Sequence, residues 1–327
     1  MFNVYLKQYQ PIVERILSNA LESKHAPHAY LFVGPKGTKM LESAKWMVKN
    51  QMCSHANPYA CEECDVCRRI EEETFSDLIV INGKDTSIKK EDILKLQEQF
   101  SKTALEKTGK KFYIINEVDN ASTGALNSLL KFLEEPSGDS TFAILISHHP
   151  ERLLETIISR CQMLTFKPLN RQDLIADIND IDMDRYELNL LAQLVKDKEE
   201  MLSLVNDEDT RHNIALFGSF IDEYSRSISL GEIFVQSHIL KKKSTPENER
   251  ARLTLFLNIG MMFFKDVLFN TLPDSVVWTE RMKQLPKTLE PLKAFTLFND
   301  SVHKITSNAN LALIIDALIY QLKEDKA

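Results

Sequence analysis

The chain has 327 residues, enough for two or three domains and a substantial core, with 43% hydrophobic and 27% charged residues, as in an ordinary soluble protein. A formal net charge of −7 argues against a surface coated for nucleic-acid binding, so any such contact is expected to be local. No basic-then-apolar leader is visible, and the most apolar stretch, LTLFLNIGMMFF (253–264), is too short for a bilayer and carries Asn258, so a cytoplasmic location and no membrane partner are expected.

In chain order, short apolar runs rich in branched and aromatic residues alternate with helical stretches up to about Phe166. The runs are AYLFV (29–33), DLIVI (77–81), KFYII (111–115), TFAILIS (141–147) and MLTF (163–166). Strands that are apolar throughout predict a parallel sheet covered on both faces, hence an α/β domain. Between them STGALNSLLKFLEE (122–135) reads as a helix ended by Pro136. Beyond Pro168 the strand signal disappears. Residues 170–207 read as short helices and 208–327 as longer amphipathic ones. A polar break, KKKSTPENER (241–250), separates two of these helices, and NANLALIIDALIYQLKED (308–325) is expected to be buried among others.

Four of the five cysteines fall within fifteen residues, as Cys53-x7-Cys61-x2-Cys64-x2-Cys67. Clustered thiolates of this spacing in a long chain predict a tetrahedral Zn²⁺ site with no open position, therefore structural. His55 is an alternative ligand, four free thiols are the alternative to a metal, and Cys161 reads as an ordinary thiol.

YLFVGPKGTKMLES (30–43) has the setting of a phosphate-binding loop but departs from its pattern. A working loop needs G-x-x-x-x-G-K-[ST], whose backbone cradles phosphates, whose Lys reaches them, and whose hydroxyl binds Mg²⁺. Gly34 follows the strand, and Gly37 and Thr38 lead to Lys39, the lysine if one deletion is allowed. Met40 then stands where the hydroxyl belongs, and a thioether is a poor ligand for a hard cation. On the third strand Asn116 replaces the metal-holding carboxylate, while Glu117, the usual water-activating base, remains. Both losses concern the same ion and predict no ATP hydrolysis.

HAYLFVGPKGT, CEECDVCRRI, KKFYIINEVDNAS, ALNSLLKFLEEP and TFAILISHHPERLLETIISRCQ, in this order over roughly 10–167, resemble the AAA+ clamp-loader subunits of bacterial DNA polymerase III. The zinc module after the first helix is characteristic of the gamma/tau and delta′ types. The resemblance implies an AAA+ core (1–167, zinc module near 53–67), a helical lid (168–207) and a helical collar (208–327). Gamma/tau subunits keep Gly-Lys-Ser/Thr, and this chain lacks it and has no long extension, so it looks like the delta′ type.

Several residue roles follow from the resemblance alone. Matching KDKEEMLSLV (196–205) to the lid puts Glu199 where gamma-type subunits sense nucleotide with an arginine. Arg160, in Ser159-Arg160-Cys161, resembles a finger inserted into the neighbouring subunit's nucleotide site; a structural surface arginine is the alternative. Ser147 occupies the first sensor position or is only a strand end. Lys131 and Glu134-Glu135-Pro136 match LLKxLEEP, structural or ring-facing. The implied function is an ATPase-like scaffold of the polymerase III holoenzyme that joins gamma/tau and delta subunits in a five-membered ring and helps load the sliding clamp onto primed DNA. The alternatives are a gamma/tau-like ATPase with a weak ATP site, discriminated by ATP affinity, and a zinc-dependent DNA-binding protein, which the acidic balance disfavours.

Overall fold

The structure, a computed structural model, describes residues 2–22, 27–101, 109–134, 140–176, 178, 181, 183–238, 246–306 and 310–323. It divides into two compact units, Met1–Leu169 and Asn170–Ala327.

The first unit contains strands β1 (Ala29–Val33), β2 (Leu78–Asn82), β3 (Lys111–Asn116), β4 (Thr141–Ser147) and β5 (Gln162–Thr165). They pair in parallel in the order β2-β3-β4-β1-β5. The helices are α1 (Phe2–Tyr9), α2 (Pro11–Glu22), α3 (Met40–Met52), α4 (Asp65–Glu71), α5 (Lys90–Ser101), α6 (Thr123–Glu134) and α7 (Glu155–Ile158). Side chains of successive strand residues point to opposite faces, and here both faces are apolar because both are covered. Tyr30, Phe32, Phe112, Ile144 and Phe166 pack with Leu17 and Trp46 on one face. Leu31, Tyr113, Ile115 and Leu145 pack with Leu96, Phe132 and Ile157 on the other.

β1 and β4 occupy the expected residues, β3 runs one residue further than expected, and β2 and β5 are shifted by one residue at both ends. Polar Asn82 and Asn116 are strand residues because they pair in register with each other, and backbone pairing, not side-chain polarity, defines a strand end. Glu135 and Pro136 lie outside the described residues.

The second unit is helical: α8 (Arg171–Ile175), α9 (Arg185–Leu191), α10 (Lys198–Asn206), α11 (Glu208–Arg226), α12 (Ile228–His238), α13 (Pro246–Leu268), α14 (Val276–Gln284), α15 (Pro291–Thr306) and α16 (Leu311–Lys323). Side chains of Asn170, Asp184, Asp197, Asp207 and Ser275 accept from backbone N–H groups at the starts of α8, α9, α10, α11 and α14, supplying partners the first turns lack. Phe217, Phe220, Phe256, Phe263, Phe298 and Trp278 form its aromatic core.

Two expectations are corrected here. The polar break at 241–250 is shorter than expected, because α13 starts at Pro246, a residue the first helical turn accepts. α16 buries Ile314, Ile315, Leu318, Ile319 and Leu322 but exposes Leu313 (67%) and Tyr320 (62%), so one face is unburied within the chain. The described residues contain no helix long and apolar enough to cross a membrane.

Candidate functional site

The strand order sets β4 between β1 and β3, so the segments leaving their C-terminal ends converge, the position where open α/β sheets place ligand sites. These segments carry Gly34, Asn116-Glu117 and Ser147-His148.

At Gly34 the loop is closed in on itself. A Cβ there would lie 2.8 Å from Phe166 Cβ and 2.9 Å from the Phe166 carbonyl oxygen, so glycine is required by the close passage of the chain leaving β5. Gly37 has φ +86° and Lys39, preceding α3, has φ 50° and ψ 42°, both left-handed. Thr38 is buried, and its hydroxyl donates to the Pro35 carbonyl at 2.7 Å. The Lys39 ammonium lies 5.5 Å from the Tyr5 ring centroid. Met40 begins α3 with its thioether buried in the core. Loop groups that would serve phosphate and Mg²⁺ are thus engaged within the protein.

The facing wall is likewise satisfied internally. Asn116 donates its side-chain amide to Asn82 Oδ1 at 3.1 Å. Glu117 is buried, has φ 52°, accepts from Asn120 Nδ2 at 3.2 Å, and lies 3.8 Å from Lys36 Nζ and 3.9 Å from His148 Nε2. His148 Nδ1 is 2.8 Å from the Gly34 carbonyl, and a carbonyl only accepts, so Nδ1 carries the proton. The His148 backbone N–H donates to Asp119 Oδ1 at 3.0 Å. Buried Ser147 accepts from the His149 N–H on its hydroxyl and from the Gly34 N–H on its carbonyl, as a strand end does.

The thiol cluster lies at the other end of α3. Cys53 caps the C-terminus of α3, Cys64 precedes α4, Cys67 lies in its first turn, and Cys61 sits in the loop between. The sulfur of Cys53 is 3.6 Å from that of Cys61 and 3.8 Å from that of Cys64. Tetrahedral zinc–thiolate bonds of about 2.3 Å imply sulfur separations of about 3.8 Å, so the spacing fits.

The ligand atoms of Cys53, His55, Cys61 and Cys64 all lie within 4.8 Å of one another, a group that could hold a metal ion. Cys67 packs wholly buried in the same cluster, beside the thiols of Cys64 and Cys53. His55 is exposed, with Nδ1 3.3 Å from the Ser54 hydroxyl. Burial, then the neighbouring Cys64, pushes the Cys67 thiol far up, and burial raises Cys64. Backbone N–H groups of Glu63 and Cys64 hold Cys61 down to about 6. Crowded thiols resist joint ionisation, and a divalent cation removes that resistance.

Lys45 and Lys49 of α3, both nearly buried, secure α4. Lys45 donates to the Glu71 carbonyl at 3.0 Å and pairs with Glu73 at 2.8 Å, and Lys49 pairs with Glu71 at 2.5 Å. Glu62 Oε1 accepts from the Phe2 N–H at 2.7 Å, and Glu14 accepts from the Tyr59 hydroxyl at 2.9 Å, tying the module to α1 and α2. One helix therefore runs from the loop at residues 34–39 to the first cysteine.

Arg160 follows α7 and precedes β5. Its Nη1 donates to the Thr156 carbonyl at 2.9 Å, its Nη2 lies 2.6 Å from Glu134 Oε1, and its side chain is 35% exposed. Lys131 is exposed on α6. Glu199 is exposed near the start of α10, in the second unit. Cys161 is partly buried, and burial pushes its thiol up to about 12, the behaviour of an ordinary structural thiol. Sequence reasoning missed Lys36, His148 and the pairing of Glu134 with Arg160. His148 had one signal, its place directly after Ser147 at the end of β4.

Three comparisons bear on this arrangement. The family described as "DNA polymerase III, delta subunit" matches residues 9–170. DNA polymerase III subunit delta′ of Bacillus subtilis is 31% identical over 333 aligned residues, covering 98% of both chains. DNA polymerase III subunit tau of the same organism is 38% identical over 53% of this chain and 30% of its own. A gamma subunit-related protein of Thermotoga maritima, at 16% identity and TM-score 0.46, covers 96% of this chain and 99% of its own.

Proposed function

The chain belongs to the family of DNA polymerase III delta′ subunits, and from that premise we propose that it serves the clamp loader as an ATPase-like scaffold that hydrolyses no ATP and lends Arg160 to a neighbouring subunit's ATP site. Its partners are tau/gamma and delta subunits in a five-membered ring, which loads the sliding clamp onto primed DNA. In this reading residues 1–167 are the AAA+ core, 168–207 act as the lid, and 208–327 act as the collar that joins subunits.

The observation that carries this reading is the closed phosphate loop: Thr38 bonded to Pro35, His148 bonded to Gly34, and Met40 buried at the start of α3. Neither Met40 nor Asn116 offers an anionic or hydroxyl oxygen to Mg²⁺. Glu117, with Lys36 and Asn120 around it, then holds the loop shut and activates no water. Arg160 keeps a permanent charge and N–H donors beyond those used by Thr156 and Glu134, which suits it to the charge that develops on a transferring phosphoryl group.

Cys53, Cys61, Cys64 and Cys67 hold zinc, with His55 outside the coordination. Zinc supplies cross-linking here and no chemistry. The thiolates fasten the end of α3 to α4, while Lys45 and Lys49 fix the same pair of helices by charge.

Reconstitution tests the reading. The purified chain, mixed with the cognate delta and tau/gamma subunits, should enter one complex whose clamp- and DNA-stimulated ATPase and clamp loading depend on its presence. The chain alone should turn over no ATP. A loader that works equally well without the chain would overturn the proposal.

A further inference from the structure

The end of α6 is joined to the segment before β5 by one short ion pair, Glu134 Oε1 to Arg160 Nη2 at 2.6 Å, and the guanidinium is held from a second side by the Thr156 carbonyl at 2.9 Å. We propose that Glu134 is the positioning residue for Arg160. This rests on the reading of Arg160 as a donor in trans, and it adds the residue that aims it.

An arginine side chain has many rotamers, and a free one must be ordered each time a neighbour's phosphates arrive. Here two fixed acceptors on different elements, the last residue of α6 and the α7 backbone, hold the plane of the guanidinium from two sides. A guanidinium carries more N–H donors than these contacts use, so it meets phosphate without leaving either anchor. Both side chains are partly exposed, Arg160 at 35% and Glu134 at 43%, so solvent reaches the pair and a neighbour can too.

One effect opposes this. The Glu134 carboxylate cancels part of the positive field and repels phosphate. Most of its charge is taken up by the guanidinium it pairs with at 2.6 Å, however, and in a half-exposed site the remaining repulsion is screened. Fixed aim acts at contact distance, where misplacing a catalytic group by about an ångström costs on the order of a hundredfold. Positioning therefore outweighs repulsion, and removing Glu134 should slow the neighbour's site.

The test compares loaders reconstituted with Glu134→Ala, Glu134→Gln, Arg160→Ala and Glu134→Ala/Arg160→Ala subunits. Each is read by clamp- and DNA-stimulated ATPase as kcat and KM for ATP. Arg160→Ala sets the full loss. Glu134→Ala should give most of that loss in kcat with KM unchanged. Glu134→Gln keeps a carbonyl acceptor and should recover more than half of it, and the double variant should fall no lower than Arg160→Ala alone. If Arg160→Ala itself changes nothing, the trans-acting reading fails and this inference with it. If Arg160→Ala lowers kcat but Glu134→Ala does not, or if the two losses multiply, only the positioning role of Glu134 is overturned.

Discussion

Asn116 donates its side-chain amide to Asn82 across the β2–β3 pair at 3.1 Å. Asn82 Oδ1 also accepts from the Lys84 N–H at 3.0 Å, so it is a committed acceptor. An aspartate at 116 has no proton to give at neutral pH and would set two acceptors against each other. Asn116 thus ties two strand ends together.

Restoring one carboxylate should therefore not restore an enzyme. Asn116→Asp in the isolated chain should give no Mg²⁺-dependent phosphate release and should lower stability by up to about 1 kcal/mol, as expected for one exposed hydrogen bond. Glu117→Gln should leave the loader's turnover unchanged. Mg²⁺-dependent turnover by the wild-type chain that Glu117→Gln abolishes would overturn the scaffold reading.

Gly34 is required for packing against Phe166. Gly34→Ala should cost about 1–3 kcal/mol, the usual cost of overpacking, measured by denaturant unfolding. In a loop held open for phosphate the same change would impair nucleotide binding more than folding. Unaltered stability would contradict the closed loop.

The purified chain should contain about one zinc ion. Cys67→Ser should abolish retention, because Cys67 is wholly buried among the other thiols, while exposed His55→Ala should retain metal. Chelation should raise hydrogen exchange at the C-terminal turn of α3 and through α4, where the thiols converge. Metal kept by Cys67→Ser but lost by His55→Ala would reverse the ligand assignment.

Asp266 gives a pH signature in the helical unit. It is 7% exposed and accepts from the Tyr186 hydroxyl at 3.1 Å, and burial raises its pKa despite that donor. A carboxyl with a raised folded pKa contributes stability that is complete below its unfolded value of about 3.9 and is lost as pH rises through the folded value. Urea unfolding should show Asp266→Asn gaining on wild type as pH rises from about 4 toward 7. A difference that shrinks over that range would contradict the sign.

Much of this was legible in the sequence where one local property decides the outcome. β1 and β4 followed from unbroken apolar runs, and the thiol cluster from spacing alone. The role proposed for Arg160 comes only from the resemblance to known subunits. What could not be read depends on distant partners. Nothing near Glu134 signals a guanidinium arriving from the turn before β5, and nothing near Gly34 announces Phe166 across β1 and β5. Asn82 and Asn116 become strand residues only because they meet. The exposed Leu313 and Tyr320 of α16 escaped an argument from apolarity, which cannot distinguish a face buried within the chain from one left open.

The central claim is that a subunit without turnover of its own completes a neighbour's ATP site through Arg160. The most direct measurement is the clamp- and DNA-stimulated ATPase of a loader reconstituted with Arg160→Ala, with Arg160→Lys beside it. Both variant subunits should fold, keep their zinc and enter the complex as wild type does. Fingers of this kind contribute on the order of a thousandfold at their own site, so turnover at the adjoining site should all but cease, while sites served by other subunits continue. Lysine should fail nearly as badly as alanine, because it carries the charge without the planar fork. Wild-type ATPase and clamp loading in the Arg160→Ala loader would contradict the claim and leave the chain a purely structural member of the ring.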